Sequence, residues 1–276
     1  MLKINNIKNI VFSGGGLKGW AYIGTLRALY ELVPHDNIEE CTGASIGSLF
    51  ALLYILKINW ASILQIIINL DFKEVADIDI DSILVNQSMI AGEKYSDIII
   101  KLCENKINKK TTFKEFYEHT GIKYTVPALN ISKRERMYFN YINTPDTKIL
   151  DAIIASSSVP VLFPAYCIDN NYYYDGGLFD NTPSKNTEEL GTLCFCLCDS
   201  HEMDQTVKIL SLIHTLSELL NRTKTNNNIK LCVLDDKYST EIYNINQSRD
   251  TIFNIYMNGY KNTKNLLFDN FLAIKN

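Results

Sequence analysis

The sequence predicts an α/β protein built on a mostly parallel sheet. Short apolar runs alternate with longer helical patterns along the chain, an order that yields neighbouring parallel strands. Two of the strand-to-helix passages carry glycine clusters: Val11-Phe-Ser-Gly-Gly-Gly-Leu-Lys-Gly19, then Gly43-Ala-Ser-Ile-Gly47. No internal repeat, low-complexity linker or composition break divides the 276 residues, so one domain spanning 1–276 is expected.

Residues 9–13 read as a short buried strand entering the glycine loop. Residues 18–32 follow as a helix, because Ala21, Ile23, Leu26, Leu29 and Leu32 recur near helical spacing, and Pro34 ends it. A second strand over 40–44 leads to Ser45 and another helix. The stretch 46–70 carries one charge, Lys57, and is long enough to span a bilayer. Asn59, Gln65 and Asn69 interrupt it and no basic flank orients it, so two buried helices broken near Ile58 and Asn59 are expected instead. Trp60, Ile63, Ile66 and Ile67 then read as core, with an interfacial patch as the alternative.

Residues 61–119 read as mostly helical, and 123–131 and 136–142 as strands. Asp146 is a plausible N-cap for a helix over 147–156. Residues 165–168 and 172–174 form a hairpin pattern around Asp169, Asn170 and Asn171. A strand over 192–198, a helix over 204–221, a strand over 230–234 and a helix from about Ser248 close the chain.

Net charge is −4, which implies no broad basic face and argues against a nucleic-acid partner. The seven cysteines are odd in number, and Cys194, Cys196 and Cys198 alternate along one strand. That pattern lacks disulfide or zinc spacing, so reduced, mostly buried thiols in a cytoplasm are expected, with no metal. The N-terminus has no apolar run with a cleavage site of the signal-peptide kind.

Gly43-Ala-Ser45-Ile-Gly47 is a G-x-S-x-G pentapeptide. Such a turn lifts a serine Oγ clear of a sheet, while the flanking glycines leave no Cβ to clash. A helix N-terminus behind it favours developing negative charge. A lone match is equally explained by an ordinary turn, but the apolar runs on both sides supply the context of an elbow. The serine needs a base. The four histidines, His35, His119, His201 and His214, carry no functional signature and read as ordinary surface or helix residues; His201, after a strand end, is the best placed of them for a Ser-His-Asp triad. Asp175 is the stronger candidate: it follows an aromatic strand and precedes Gly176 and Gly177, although a turn aspartate capping its own loop would look the same.

The loop Gly14 to Gly19 also fits G-x-G-x-x-G. A dinucleotide site would require an acidic residue ending the second strand, yet Glu39 and Glu40 precede or begin it. Lys18 comes before Gly19 with no G-K-[ST] after it, so a P-loop fails as well.

Gly14-Gly-Gly-Leu-Lys-Gly19, Gly43-Ala-Ser-Ile-Gly47, Ala155-Ser-Ser-Ser-Val-Pro160 with Phe163-Pro164, and Asp175-Gly-Gly177 with Asn181 and Pro183 occur in this order. Together they resemble the patatin-like phospholipase family over about residues 7–183. The resemblance implies a three-layer sandwich, with a largely parallel sheet flanked by helices. The motif-bearing core would span about 7–200, and the C-terminal part would complete the sheet. It further implies Ser45 as nucleophile and Asp175 as its partner in a dyad without histidine. The Gly14, Gly15, Gly16 and Gly19 loop would form the oxyanion hole, with Lys18 adding positive charge. The implied activity is hydrolysis of acyl esters of the phospholipase A kind, on phospholipid or another acyl ester, without cofactor and with transient membrane contact. The alternatives are a Ser-His-Asp esterase using His201 and an inactive lipid-binding relative.

Overall fold

The computed structural model describes residues 4–70, 93–183, 191–197, 229–235, 238 and 246–272. Its elements, in chain order, are β1 (Asn9–Phe12), α1 (Ala21–Leu32), β2 (Glu40–Gly43), α2 (Ile46–Ile55), α3 (Trp60–Ile68), α4 (Glu93–Leu102), α5 (Phe113–Thr120), β3 (Lys123–Asn130) and β4 (Glu135–Phe139). There follow α6 (Ile149–Ser157), β5 (Tyr166–Ile168), β6 (Asn171–Asp175), the single turn α7 (Gly177–Asp180), β7 (Thr192–Cys196), β8 (Ile229–Cys232) and α8 (Arg249–Leu267). The predicted helix over 204–221, with His201 and His214, lies outside the described residues.

The strands form one mixed sheet in the order β5-β6-β3-β2-β1-β7-β8, with β4 also on β3. The β2–β3, β1–β2, β1–β7 and β7–β8 pairs are parallel, as the strand–helix alternation requires. The long strand β3 serves two pairings. Its first residues run parallel to β2, Glu40 opposite Lys123 through Thr42 opposite Thr125. Its later residues pair antiparallel with β4 and β6, Ala128 standing opposite Asp175. The predicted hairpin is present, with Ile168 opposite Asn171. Asp169 and Asn170 have φ of 47° and 61°, the two left-handed positions that a two-residue turn requires and that Asp and Asn tolerate.

Helices cover the sheet and bury its apolar side chains. All four residues of β1 are buried, as expected of a strand covered on both faces. The helix α2 is buried at every position, so it cannot show a polar stripe. Asn59 caps α3 by accepting a hydrogen bond from the Ala61 amide at 2.8 Å, which makes the break in the apolar stretch that the polar residues predicted. No helix among the described residues is long and apolar enough to cross a membrane. Ile63 and Ile67 are buried, and Trp60 stacks on Tyr256 with 5.6 Å between ring centroids, so this face is core.

Two local expectations are corrected. Asp146 does not cap the helix before Ser157. The helix starts later, at Ile149, with Lys148 at the cap and no side-chain cap bond. The reduced-thiol expectation holds for Cys41, Cys103, Cys167, Cys194 and Cys196, but Cys232 is in a disulfide. The expected buried thiols are Cys41, Cys103 and Cys194, whereas Cys167 is exposed.

Candidate active site

Ser45 sits between the carboxyl end of β2 and the first turn of α2, with φ 51° and ψ −129°. That is a rare conformation for a residue with a side chain, and such outliers concentrate at functional sites. Glycines make the turn possible. A Cβ on Gly43 would lie 2.1 Å from the Gly47 carbonyl oxygen, and one on Gly47 would lie 2.4 Å from the carbonyl oxygen of Phe12. The Ser45 amide donates to Ser156 Oγ at 3.0 Å, and its carbonyl accepts from Ser48 Oγ at 2.6 Å.

Asp175 ends β6 beside this serine. The Ser45 side chain is close enough to favour the ionised Asp175 carboxyl, and the Gly177 amide donates to Asp175 Oδ1 at 2.6 Å. Ser45 and Asp175 are 8% and 4% exposed. Burial raises the Asp175 carboxyl from 3.8 to about 7, against the opposing pull of Ser45 and Gly177. Desolvation thus outweighs both opposing influences. Gly176 packs on Pro127, where a Cβ would meet the carbonyl oxygen at 2.2 Å.

The glycine loop closes the third side. Its members divide by role. The Gly14 amide already donates to the Asn181 carbonyl at 3.1 Å, and a Cβ there would approach Asn181 Oδ1 at 2.5 Å and Ser45 Cβ at 3.2 Å. Gly14 therefore matters for its missing side chain. Gly15 and Gly16 amides have no backbone acceptor among the described residues, and Gly16 takes φ 54°. Gly19 lies against α2, where a Cβ would meet Ile46 Cγ1 at 2.4 Å. Lys18, in the turn Gly16–Trp20, is 2% exposed.

Of the other sequence candidates, His35 and His119 line a different cavity of about 770 Å³, with Ile38, Lys57, Lys106 and Ile122. Ile38 and Ile122 precede β2 and β3, which places this cavity at the end of the sheet opposite Ser45. His35 bonds the Tyr54 carbonyl, and burial lowers its pKa. His201 lies outside the described residues. The sequence does not mark Ser156, Asn181 or Tyr95 as site residues. The first two stand inside motifs of the sequence, whereas no motif contains Tyr95. Tyr95 is hydrogen bonded to Ser157 Oγ at 3.3 Å and its hydroxyl, pushed up to about 12 chiefly by burial, also feels the Asp175 charge.

The fold and site define an α/β protein with a mixed sheet, a serine on a strand-to-helix elbow and a buried carboxyl beside it. The patatin-like phospholipase family model matches residues 10–186, and the chain belongs to that family. The probable lipid hydrolase 463L of Invertebrate iridescent virus 6 is 27% identical over 85% of this chain and 80% of its own length. Triacylglycerol lipase 5 of Saccharomyces cerevisiae is also 27% identical, over 77% of this chain but 28% of the yeast protein. Among solved structures, VipD from Legionella pneumophila aligns with TM-score 0.63 and 18% identity, over 96% of this chain and 67% of VipD. The type III effector ExoU aligns with TM-score 0.53 and 15% identity, over 96% and 53%. These structures share the fold.

Proposed function

We propose that the chain is a serine acyl-ester hydrolase acting on lipid esters, of the phospholipase A kind, through a Ser45–Asp175 dyad. The observation that carries this reading is the strained elbow at Ser45 with the buried, raised carboxyl of Asp175 beside it. A carboxyl at its ordinary value near 3.9 is a weak base; one raised to about 7 is matched to neutral pH. Ser45 Oγ attacks the ester carbonyl as its proton passes to Asp175, giving a tetrahedral oxyanion. Collapse expels the alcohol, which takes the proton, and leaves acyl-Ser45. Water, deprotonated by Asp175, then attacks the acyl carbonyl; the C–Oγ bond breaks, the proton passes from Asp175 back to Ser45 Oγ, and the fatty acid leaves.

The Gly15 and Gly16 amides are the oxyanion donors in this scheme, and removing such a donor typically costs about 3–4 kcal/mol of transition-state stabilisation. Gly14 and Gly19 allow the loop to approach the elbow, and Lys18 adds positive charge. The apolar run 159–164 (Val-Pro-Val-Leu-Phe-Pro) begins one residue after Ser158 and stays half-buried throughout, which suits contact with an acyl chain or a lipid surface. The names of the viral and yeast relatives point to the same substrate class.

A fluorophosphonate probe is expected to label the wild-type protein at Ser45, and the protein to cleave a short-chain p-nitrophenyl ester. Ser45→Ala should abolish labelling and lower ester turnover by roughly a thousand-fold or more. A folded wild-type protein that takes no label would overturn the hydrolase reading. His201→Ala is expected to keep wild-type labelling and turnover. A collapse of both in that variant would replace the dyad with a histidine triad.

A further inference from the structure

The hydrogen bonds around residues 156–158 converge on both members of the proposed dyad from one short segment. Ser156 Oγ accepts the Ser45 amide at 3.0 Å. The Ser158 carbonyl accepts the Asp175 amide at 2.9 Å, and the Ser156 carbonyl accepts the Gly176 amide at 3.4 Å. Ser156 is 0% exposed and Ser158 3% exposed, so water does not compete for these bonds. The segment ends α6, whose last turn would otherwise leave carbonyls without partners; two of those carbonyls hold the strand end that carries Asp175.

We infer that Ser156 is a positioning residue: its hydroxyl fixes the strained peptide of Ser45, and its segment sets the distance between Ser45 and Asp175. The serine side chain is the specific element here, since the other two bonds use backbone and survive any substitution. The amide of a residue at φ 51° must point where the surroundings can accept it, or the peptide rotates toward an ordinary conformation and carries Oγ with it. A displacement of about 1 Å is enough to cost a hundred-fold in rate. This inference rests on the hydrolase reading for its kinetic test but not for its structural one.

Ser156→Ala is the direct test. The expected result is a fall of at least about ten-fold in kcat and in the fluorophosphonate labelling rate, with KM unchanged and the acidic midpoint of the rate profile still near 7. Ser156→Thr, which keeps the hydroxyl, should recover most of the rate, and both variants should retain the wild-type circular dichroism spectrum. Amide hydrogen exchange reads the same bond without turnover: the Ser45 amide should lose at least ten-fold protection in Ser156→Ala and keep it in Ser156→Thr. An unchanged Ser45 amide in Ser156→Ala overturns the inference even if the protein proves to hydrolyse nothing. Wild-type turnover in that variant, with wild-type enzyme active, overturns it as well. If Ser156→Ala does not fold, Ser156→Cys takes its place under the same criteria.

Discussion

Asp175→Asn is expected to abolish ester cleavage and, above pH 7, to make the protein more stable than wild type. The two effects have one origin. Burial holds the native carboxyl protonated up to about 7, whereas the unfolded chain releases that proton near 3.9. Between those values the native state binds more protons than the unfolded state, so wild-type stability falls as pH rises through the window. The contribution is complete below about pH 4 and gone above about pH 7. Over the whole window this amounts to about 4 kcal/mol. Asparagine has nearly the same shape and no charge to desolvate. Its advantage over wild type should be close to zero at pH 4, grow through neutrality, and level off near pH 8. For a domain of this size that is about 5–10 °C in Tm. In the wild type, kcat/KM should rise with pH around 7, in the same interval over which stability declines. Thermal melts of both proteins across pH 4–8 check this. Parallel curves would mean that Asp175 is ionised in the native state throughout, and the raised carboxyl would then be wrong.

Much of this candidate site is legible in the sequence, for reasons that differ by residue. Gly43 and Gly47 are legible because the turn they serve is local: five residues contain both the strained serine and the close contacts that exclude side chains. The hairpin is legible because Asp169 and Asn170 advertise a left-handed turn. Only the company of the other motifs separates Asp175 from an ordinary turn aspartate, since its burial depends on packing from distant segments. The Ser156 bond spans 111 residues, and no local pattern encodes such a partner. The same holds for Gly14, whose amide is taken by Asn181, and for the two-sided use of β3. Strand propensity announced β3 but said nothing of its switch from β2 to the antiparallel pair. Asp146 failed as a cap because a favoured residue type does not say where a helix must begin.

Gly47→Ala is expected to destabilise the fold severely and to lose labelling at Ser45, although alanine is the better helix former. Gly47 lies in the first turn of α2, where an alanine would ordinarily gain about 1 kcal/mol. Here its Cβ would stand 2.4 Å from the carbonyl oxygen of Phe12, 2.5 Å from that of Ser13 and 2.8 Å from the Phe12 carbonyl carbon. All three are backbone atoms at the end of β1, so no rotamer change relieves the contact. The Phe12 carbonyl also accepts the Ala44 amide at 3.2 Å, which ties the elbow to the same point. Relief requires α2 to withdraw from β1 by several tenths of an ångström or more, and Ser45 moves with it. Overpacking of this kind costs about 1–3 kcal/mol in deformable cores and more against rigid backbone, so the clash outweighs the propensity gain. Gly121→Ala is the informative contrast. That glycine ends α5 at φ +68° with nothing within 4 Å of the added Cβ. Its cost should be about 1 kcal/mol of backbone strain, with labelling of Ser45 unchanged. Denaturant titrations and fluorophosphonate labelling of the two variants separate the cases. A Gly47→Ala protein that matched Gly121→Ala in both would show that the elbow can yield, and would remove close backbone contact as the reason for glycine there.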